Sequence, residues 1–458
     1  GWGGWGGGGA AWSPGSGAAS APRPTLGRMT ADPRPTLVVG AGQAAVSLVT
    51  ELRALRDTAP VVVVGAEPEP PYERPPLSKG YLRGERDLDS LRLGDPDLLT
   101  GPGVTLVSGE TVTAVHRDTH GGVAVTSADR EIPFARLALV TGAREARLPV
   151  DGASREGVLT LRTVRDADRL AAALHALTRD GSREARLVVV GGGFVGLEVA
   201  ASARALGAHV TVVEAADRVL SRSVTPLVSD AVARFHAGLG TTVLLGAPVE
   251  RLHGTGGRAE AVVLADGHEI SADLVVVGVG ALPRTELAAA MGLRVEPRGI
   301  VVDARARTSD GVTVAAGDAA VGPNPYAAGV PGLRRLESVP HAIEQARVAA
   351  ATLAGHETAY AGVPWFWSDQ GELRLQLAGL PQGADATVVR GDPATGSFSV
   401  LSYREGRLLA IESLGTSADY LAVKRALERG MTVPAELAGD VTTPLKRLLR
   451  PVGNAPGS

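Results

Sequence analysis

Two glycine-rich stretches hold the residues best suited to chemistry. In the first, the apolar run Leu37–Val39 leads into Gly40-Ala41-Gly42-Gln43-Ala44-Ala45 and then a helical pattern. In the second, Leu187–Val190 leads into Gly191-Gly192-Gly193-Phe194-Val195-Gly196, an alanine-rich helical stretch and the apolar run Val210–Val213. Strand, glycine turn, helix and strand in that order make a dinucleotide-binding fingerprint. The first glycine of such a turn permits a tight bend. The second lets the backbone approach a pyrophosphate, and the third, or an alanine, lets helix and strand pack closely. Gly191, Gly193 and Gly196 take these places in the second loop. Gly40, Gly42 and Ala44 are the nucleotide-binding candidates of the first. The helix that follows offers free N–H groups to phosphate. An acid about 20 residues on binds the adenine ribose; Glu214 fits that place, and Glu67 is its counterpart after the strand Val61–Val64.

Two loops imply two nucleotides, and the commonest pairing is a flavin with a nicotinamide dinucleotide. Pro71-Tyr72-Glu73-Arg74-Pro75-Pro76-Leu77-Ser78-Lys79 lies between them. Its prolines hold it extended. It suits the mounting of cations beside a flavin, with Arg74 toward phosphate and Lys79 a point charge near the N5 edge. The same residues equally describe a Pro-rich surface loop with solvated charges.

Composition narrows the chemistry. There is no cysteine, hence no disulfide, thiolate nucleophile or iron–sulfur cluster in this chain. Redox work must run on a bound organic cofactor. The net charge of −3 gives no general pull toward nucleic acid, and no apolar run reaches the length of a membrane span. Residues 1–28 are almost all Gly, Ala, Trp, Pro and Ser, and 1–33 read as a disordered leader without a secretory signal.

Around the loops, Val104–Val125 alternates in period two and reads as strands. Asp273–Gly280 and Val312–Ala315 read as strands, and Glu337–His341 opens a helix. Alternation in Arg374–Leu377 and Phe398–Ser402 indicates a small sheet. Leu421–Arg429 and Pro444–Arg450 read as basic helices.

Larger pieces then become specific. PYERPPLSK (71–79), GGGFVGLEVAA (191–201), AAGDAA (315–320), ESVPHAIEQARVAA (337–350) and PWFWSDQGELRLQLAGL (364–380) resemble the NADH-dependent ferredoxin reductases of bacterial oxygenase systems. The resemblance runs from about Leu37 to about Leu449. It implies an α/β fold of the glutathione-reductase type. Two Rossmann-like domains would bind FAD (34–147 and 272–358) and NAD (148–271), and a C-terminal α+β domain would follow (359–458).

It also implies site roles. Val112, Arg144, Asp318 and Val339 would contact FAD, Asp318 on the ribityl chain and Val339 at a helix N-terminus aimed at the flavin. Gly280 would approach the nicotinamide nucleotide. Lys79, Glu198 and Trp367 would carry catalytic roles, Glu198 near the two rings and Trp367 at the electron exit. Departures from the family pattern are Val140, Glu145, Arg284 and His341, the last read as structural. The implied activity passes electrons from NADH through FAD to an acidic [2Fe–2S] ferredoxin. That ferredoxin serves a cytochrome-type or ring-hydroxylating oxygenase in the cytoplasm. Alternatives are a rubredoxin reductase and a redox-sensing flavoprotein of the apoptosis-inducing type.

Overall fold

The structure, a computed structural model, describes residues 34–452 except 96, 119, 180–184 and 328–331. The expected leader, 1–33, lies outside the described residues. The two fingerprints build two parallel five-stranded sheets of the same design. The first has the order Val314–Ala315, Arg136–Leu139, Thr36–Val39, Val61–Gly65, Val104–Ser108. The second has the order Thr242–Leu244, His209–Val213, Arg186–Val190, Leu274–Val277, Val158–Thr160.

Both faces of each sheet are covered, which is why their strands are unbroken apolar runs rather than alternating ones. Val38 and Val63 pack under the helices Gln43–Ala54 and Val339–Leu353. Leu37, Val39, Val62 and Val64 face a three-stranded antiparallel sheet begun by Val112–Asp118. The second unit repeats this. Leu187, Val189, Val210 and Val212 pack with the helix Phe194–Ala205, and Val188, Val190 and Val213 face the three-stranded sheet of Val249–His253, Ala261–Leu264 and Glu269–Ser271.

The second unit is inserted into the first. The chain leaves through Ala143–Glu145 and returns through Ala281–Pro283, and these two segments pair as an antiparallel ribbon. The sequence reading put the return at residue 272. Leu274–Val277 instead lies inside the second sheet, between Arg186–Val190 and Val158–Thr160, so the return falls later. An apolar run of four fits either sheet, and only pairing decides between them.

From Trp365 onward a five-stranded antiparallel sheet forms, in the order Trp365–Gln370, Leu373–Gly379, Arg407–Leu414, Ser397–Arg404, Ala386–Asp392. One face packs against the helix Ser417–Glu428. From the other, Leu375, Phe398, Val400 and Leu414 join the core of the second unit. The basic stretch Pro444–Arg450 departs from expectation. Only Leu445–Leu448 is helical, and Arg450–Pro451 pairs with Met431–Thr432 as a short strand.

Candidate functional site

The glycine loops have the shape of nucleotide cradles. Gly191 sits at φ +109, and a Cβ there would lie 2.5 Å from the Gly278 carbonyl oxygen. Gly40 (φ +113) meets the Val140 carbonyl in the same way. These turns admit no side chain. Gly193 and Gly42 are the opposite case. Their backbones are extended, and a Cβ would meet nothing nearer than 4.0 Å at Gly193 and nothing within 4 Å at Gly42. The chain does not need glycine there for its own packing. An emptied approach at a helix N-terminus is what a pyrophosphate requires, so the residues present fit FAD at the first loop and NADH at the second.

The two ribose acids differ in surroundings. The Glu214 carboxylate accepts from Gly192 N (2.7 Å) and Ala216 N (2.8 Å), which sets it at the mouth of its own loop. Arg218, four residues on, gives its guanidinium to the carbonyls of Val224 (2.8 Å) and Ser221 (2.6 Å). Glu67 accepts from Tyr72 Oη and from Arg74. Arg74 also donates to the Arg162 carbonyl at 2.7 Å. The structure thus places Glu67 and Arg74, expected on ribose and phosphate, against one another.

Lys79, Val339 and Trp367 come from three distant segments and line one cavity of about 330 Å³ with Gln43, Pro75, Pro76 and Asp369. That volume is in the range of small-molecule sites. Lys79 Nζ pairs with Glu198 Oε2 at 2.6 Å and donates to the Pro75 carbonyl at 2.9 Å. Glu198 is not an exposed helical acid; it is 5% exposed. Ser78 Oγ donates to it at 2.5 Å and Ser368 Oγ at 2.6 Å. The Pro-rich loop, the second glycine-loop helix and the C-terminal sheet therefore meet at one carboxylate. Trp367 stacks on Trp365, with centroids 5.6 Å apart, and Lys424 Nζ lies 5.3 Å from the Trp365 ring centroid.

Asp318 follows the strand Val314–Ala315. Its carboxylate pairs with Arg162 at 2.9 Å, and its carbonyl accepts from Arg335 Nε at 2.7 Å. Arg144 lies on the connecting ribbon, 3.5 Å from Glu286. Gly280 sits at φ +116, and a Cβ there would lie 3.8 Å from the Arg222 guanidinium. Val112 is buried beneath the first sheet. Sequence reasoning passed over Ser78, Arg162, Ser368 and Gln370. A signal for two of them was present: in Trp365–Gln370, period two sends Trp365, Trp367 and Asp369 one way and Ser368 and Gln370 the other.

Val339 begins its helix, and Ser338 caps it by accepting from His341 N at 3.2 Å. His341 is buried, with Nδ1 2.9 Å from Tyr360 Oη and Nε2 without a partner. Burial pushes its imidazole down to about 4, against the pull of the Asp318 charge. The folded value lies below the unfolded value of 6.5. The stability tied to the neutral ring is therefore complete above pH 6.5 and is lost as pH falls toward 4. Urea denaturation should show the parent chain losing about 2–3 kcal/mol more than His341→Gln between pH 7 and pH 4.5. Parallel losses would contradict this.

The chain belongs to the pyridine nucleotide-disulphide oxidoreductase family: residues 34–346 match that family's model, and residues 365–449 match a reductase C-terminal model. Among its relatives is rhodocoxin reductase of Rhodococcus erythropolis, 41% identical over 410 residues, covering 90% of this chain and 93% of the relative. Putidaredoxin reductase of Pseudomonas putida is 36% identical, covering 90% of this chain and 96% of the relative. The crystal structure of the covalent putidaredoxin reductase–putidaredoxin complex superposes with a TM-score of 0.84 at 36% identity, covering 91% of this chain and 98% of that one. The disulphide branch of such proteins needs a cysteine pair, and this chain has no cysteine.

Proposed function

We propose that the protein is an FAD-dependent NADH:ferredoxin oxidoreductase of the cytoplasm, where NADH is supplied. It would pass electrons to a small acidic [2Fe–2S] ferredoxin that serves an oxygenase. The observation carrying this reading is the convergence of Lys79, Val339 and Trp367 on one cavity. Two emptied glycine cradles and two redoxin reductases among the relatives support it.

FAD, when bound, accepts a hydride and releases electrons one at a time. The chain's own residues bind and orient. Gly40, Gly42, Ala44 and the helix Gln43–Ala54 would hold the FAD pyrophosphate, with Glu67, Arg74, Val112, Arg144 and Asp318 along the rest of the cofactor. The helix begun at Val339 would turn its positive end toward the flavin ring. Gly191, Gly193, Gly196 and Gly280 would hold NADH, with Glu214 on its ribose. Lys79 and Glu198 hold each other in place beside the cavity. Trp367 closes the cavity on its C-terminal side, and the stacked Trp365 and Lys424 continue outward from it. The basic residues Arg425, Arg429, Lys446, Arg447 and Arg450 lie on the same domain, where positive charge would steer an acidic carrier.

Glu214 accepts from a ribose hydroxyl and repels a 2′-phosphate. The Arg218 guanidinium, four residues on, is occupied by backbone carbonyls rather than turned to the Glu214 carboxylate. Glu214→Ala should narrow the ratio of kcat/KM for NADH over NADPH by about tenfold or more. An unchanged ratio would place the discrimination elsewhere. The function itself is tested by anaerobic bleaching of the FAD-loaded protein with NADH, then by cytochrome c reduction with and without added [2Fe–2S] ferredoxin. Ferredoxin should accelerate the second reaction. Acceleration by rubredoxin alone would change the partner, and acceleration by neither would sink the carrier role.

A further inference from the structure

The strand Trp365–Gln370 presents Trp367 to the cavity and buries Ser368 and Gln370 on its other face, both at 0% exposure. These two continue the contacts of Glu198 into the protein. Ser368 Oγ–H donates to Glu198 Oε1 at 2.6 Å. The hydroxyl has one proton, so toward Gln370 it accepts, and Gln370 Nε2 donates to it at 3.2 Å. That leaves Gln370 Oε1 facing His236 Nε2 at 2.8 Å. The oxygen is an acceptor, so His236 Nε2 carries the proton and Nδ1 is bare. Nδ1 is indeed buried with no partner. Every donor in the series points toward Glu198.

His236 lies in the last turn of the helix Pro226–Gly238, on the second unit. The other end of that helix is held by the same C-terminal sheet. Buried Glu412 accepts from Thr225 N at 3.0 Å and from Thr225 Oγ1 at 2.6 Å. The helix is therefore seated on the C-terminal sheet at both ends. Only one of the two seats continues to Glu198.

We propose that His236, Gln370 and Ser368 are positioning residues: a one-way series of donors that sets the Glu198 carboxylate against Lys79 and so ties the hydride step to the seat at the His236 end of the helix. This rests on the reading above that Glu198 and Lys79 stand beside the reacting rings.

The test uses the full-length, FAD-loaded protein. Three quantities are followed: the rate of flavin reduction by NADH in single turnover, the absorption bands of the oxidised flavin, and the thermal midpoint. Ser368→Ala should slow reduction about 10- to 100-fold, the scale of a misplaced group near the reacting atoms. It should shift the flavin bands in the direction that Glu198→Gln shifts them. His236→Leu should do the same to a smaller degree. His236→Gln, which returns an N–H near the place of Nε2, should restore rate and bands. Glu412→Ala loosens the other seat and should lower the thermal midpoint while leaving rate and bands as they were. Parent-like rates and bands in Ser368→Ala and His236→Leu, with Glu198→Gln impaired, overturn the donor series alone. A silent Glu198→Gln overturns the site reading and the series together. Losses of rate that follow the thermal midpoint in every variant, Glu412→Ala included, reduce the series to packing and overturn it too.

Discussion

Gly193→Val leaves the protein folded and FAD-loaded but lowers its affinity for NADH about 100-fold or more, a change of about 2.7 kcal/mol. Three facts lead there. The backbone at Gly193 is extended, φ −81 and ψ 177, which a valine adopts without strain. A Cβ at that point meets no protein atom nearer than 4.0 Å. The space it enters is the one a pyrophosphate needs at the helix N-terminus. The thermal midpoint without NADH should hold within a few degrees, because the new Cβ stands clear of the protein and the backbone needs no change. Gly191→Ala is the contrast. Its side chain would be driven onto the Gly278 carbonyl from a positive φ, and the whole second unit should destabilise. Titration with NAD⁺ and a melting curve distinguish the two. If Gly193→Val bound NADH normally, the second loop would not be its cradle.

Arg390→Ala is expected to cost about 3–5 kcal/mol of folding stability, the usual scale for breaking a buried ion pair from one side. The Arg390 side chain is 5% exposed and pairs with Asp419 at 3.0 Å. It also donates to the carbonyls of Ala438 (3.2 Å), Asp440 (2.5 Å) and Thr443 (3.0 Å). One guanidinium thus fastens the start of the helix Ser417–Glu428 and the loop at 438–443 to the outermost strand of the C-terminal sheet. Removal leaves Asp419 uncompensated and three carbonyls short of a donor. Replacing both partners, as Arg390→Met with Asp419→Asn, should recover part of the loss, because no unpaired charge remains. Urea denaturation of the two variants measures this. A loss below about 1 kcal/mol in Arg390→Ala would mean that the loop finds other donors.

The parts that were legible in the sequence are those that local chemistry dictates. A glycine needed at positive φ, or an emptied approach before a helix, leaves its mark within a few residues, so both cradles could be read. The apolar valine runs could be read as strands; that helices and a second sheet cover both their faces came only with the structure. The place of Glu198 beside the rings rested on resemblance, and its pairing with Lys79 was not read at all, since no spacing predicts a contact between that loop and that helix. Gln370 with His236 and Glu412 with Thr225 were beyond reach, because each joins segments more than a hundred residues apart. Arg74 and Glu67 were read as ligands of one cofactor; their own mutual pairing follows from the bends at 66–69, which hydropathy does not report.

The narrow ribbon between Ala143–Glu145 and Ala281–Pro283 has an engineering consequence. The inserted unit begins and ends at neighbouring points, so a nucleotide-binding cassette from another reductase can be grafted between them without rerouting the chain. Coenzyme taste would travel with the graft. The recipient sheet would still demand a histidine and a threonine at the two ends of the donated helix, and a cassette lacking them would dock loosely.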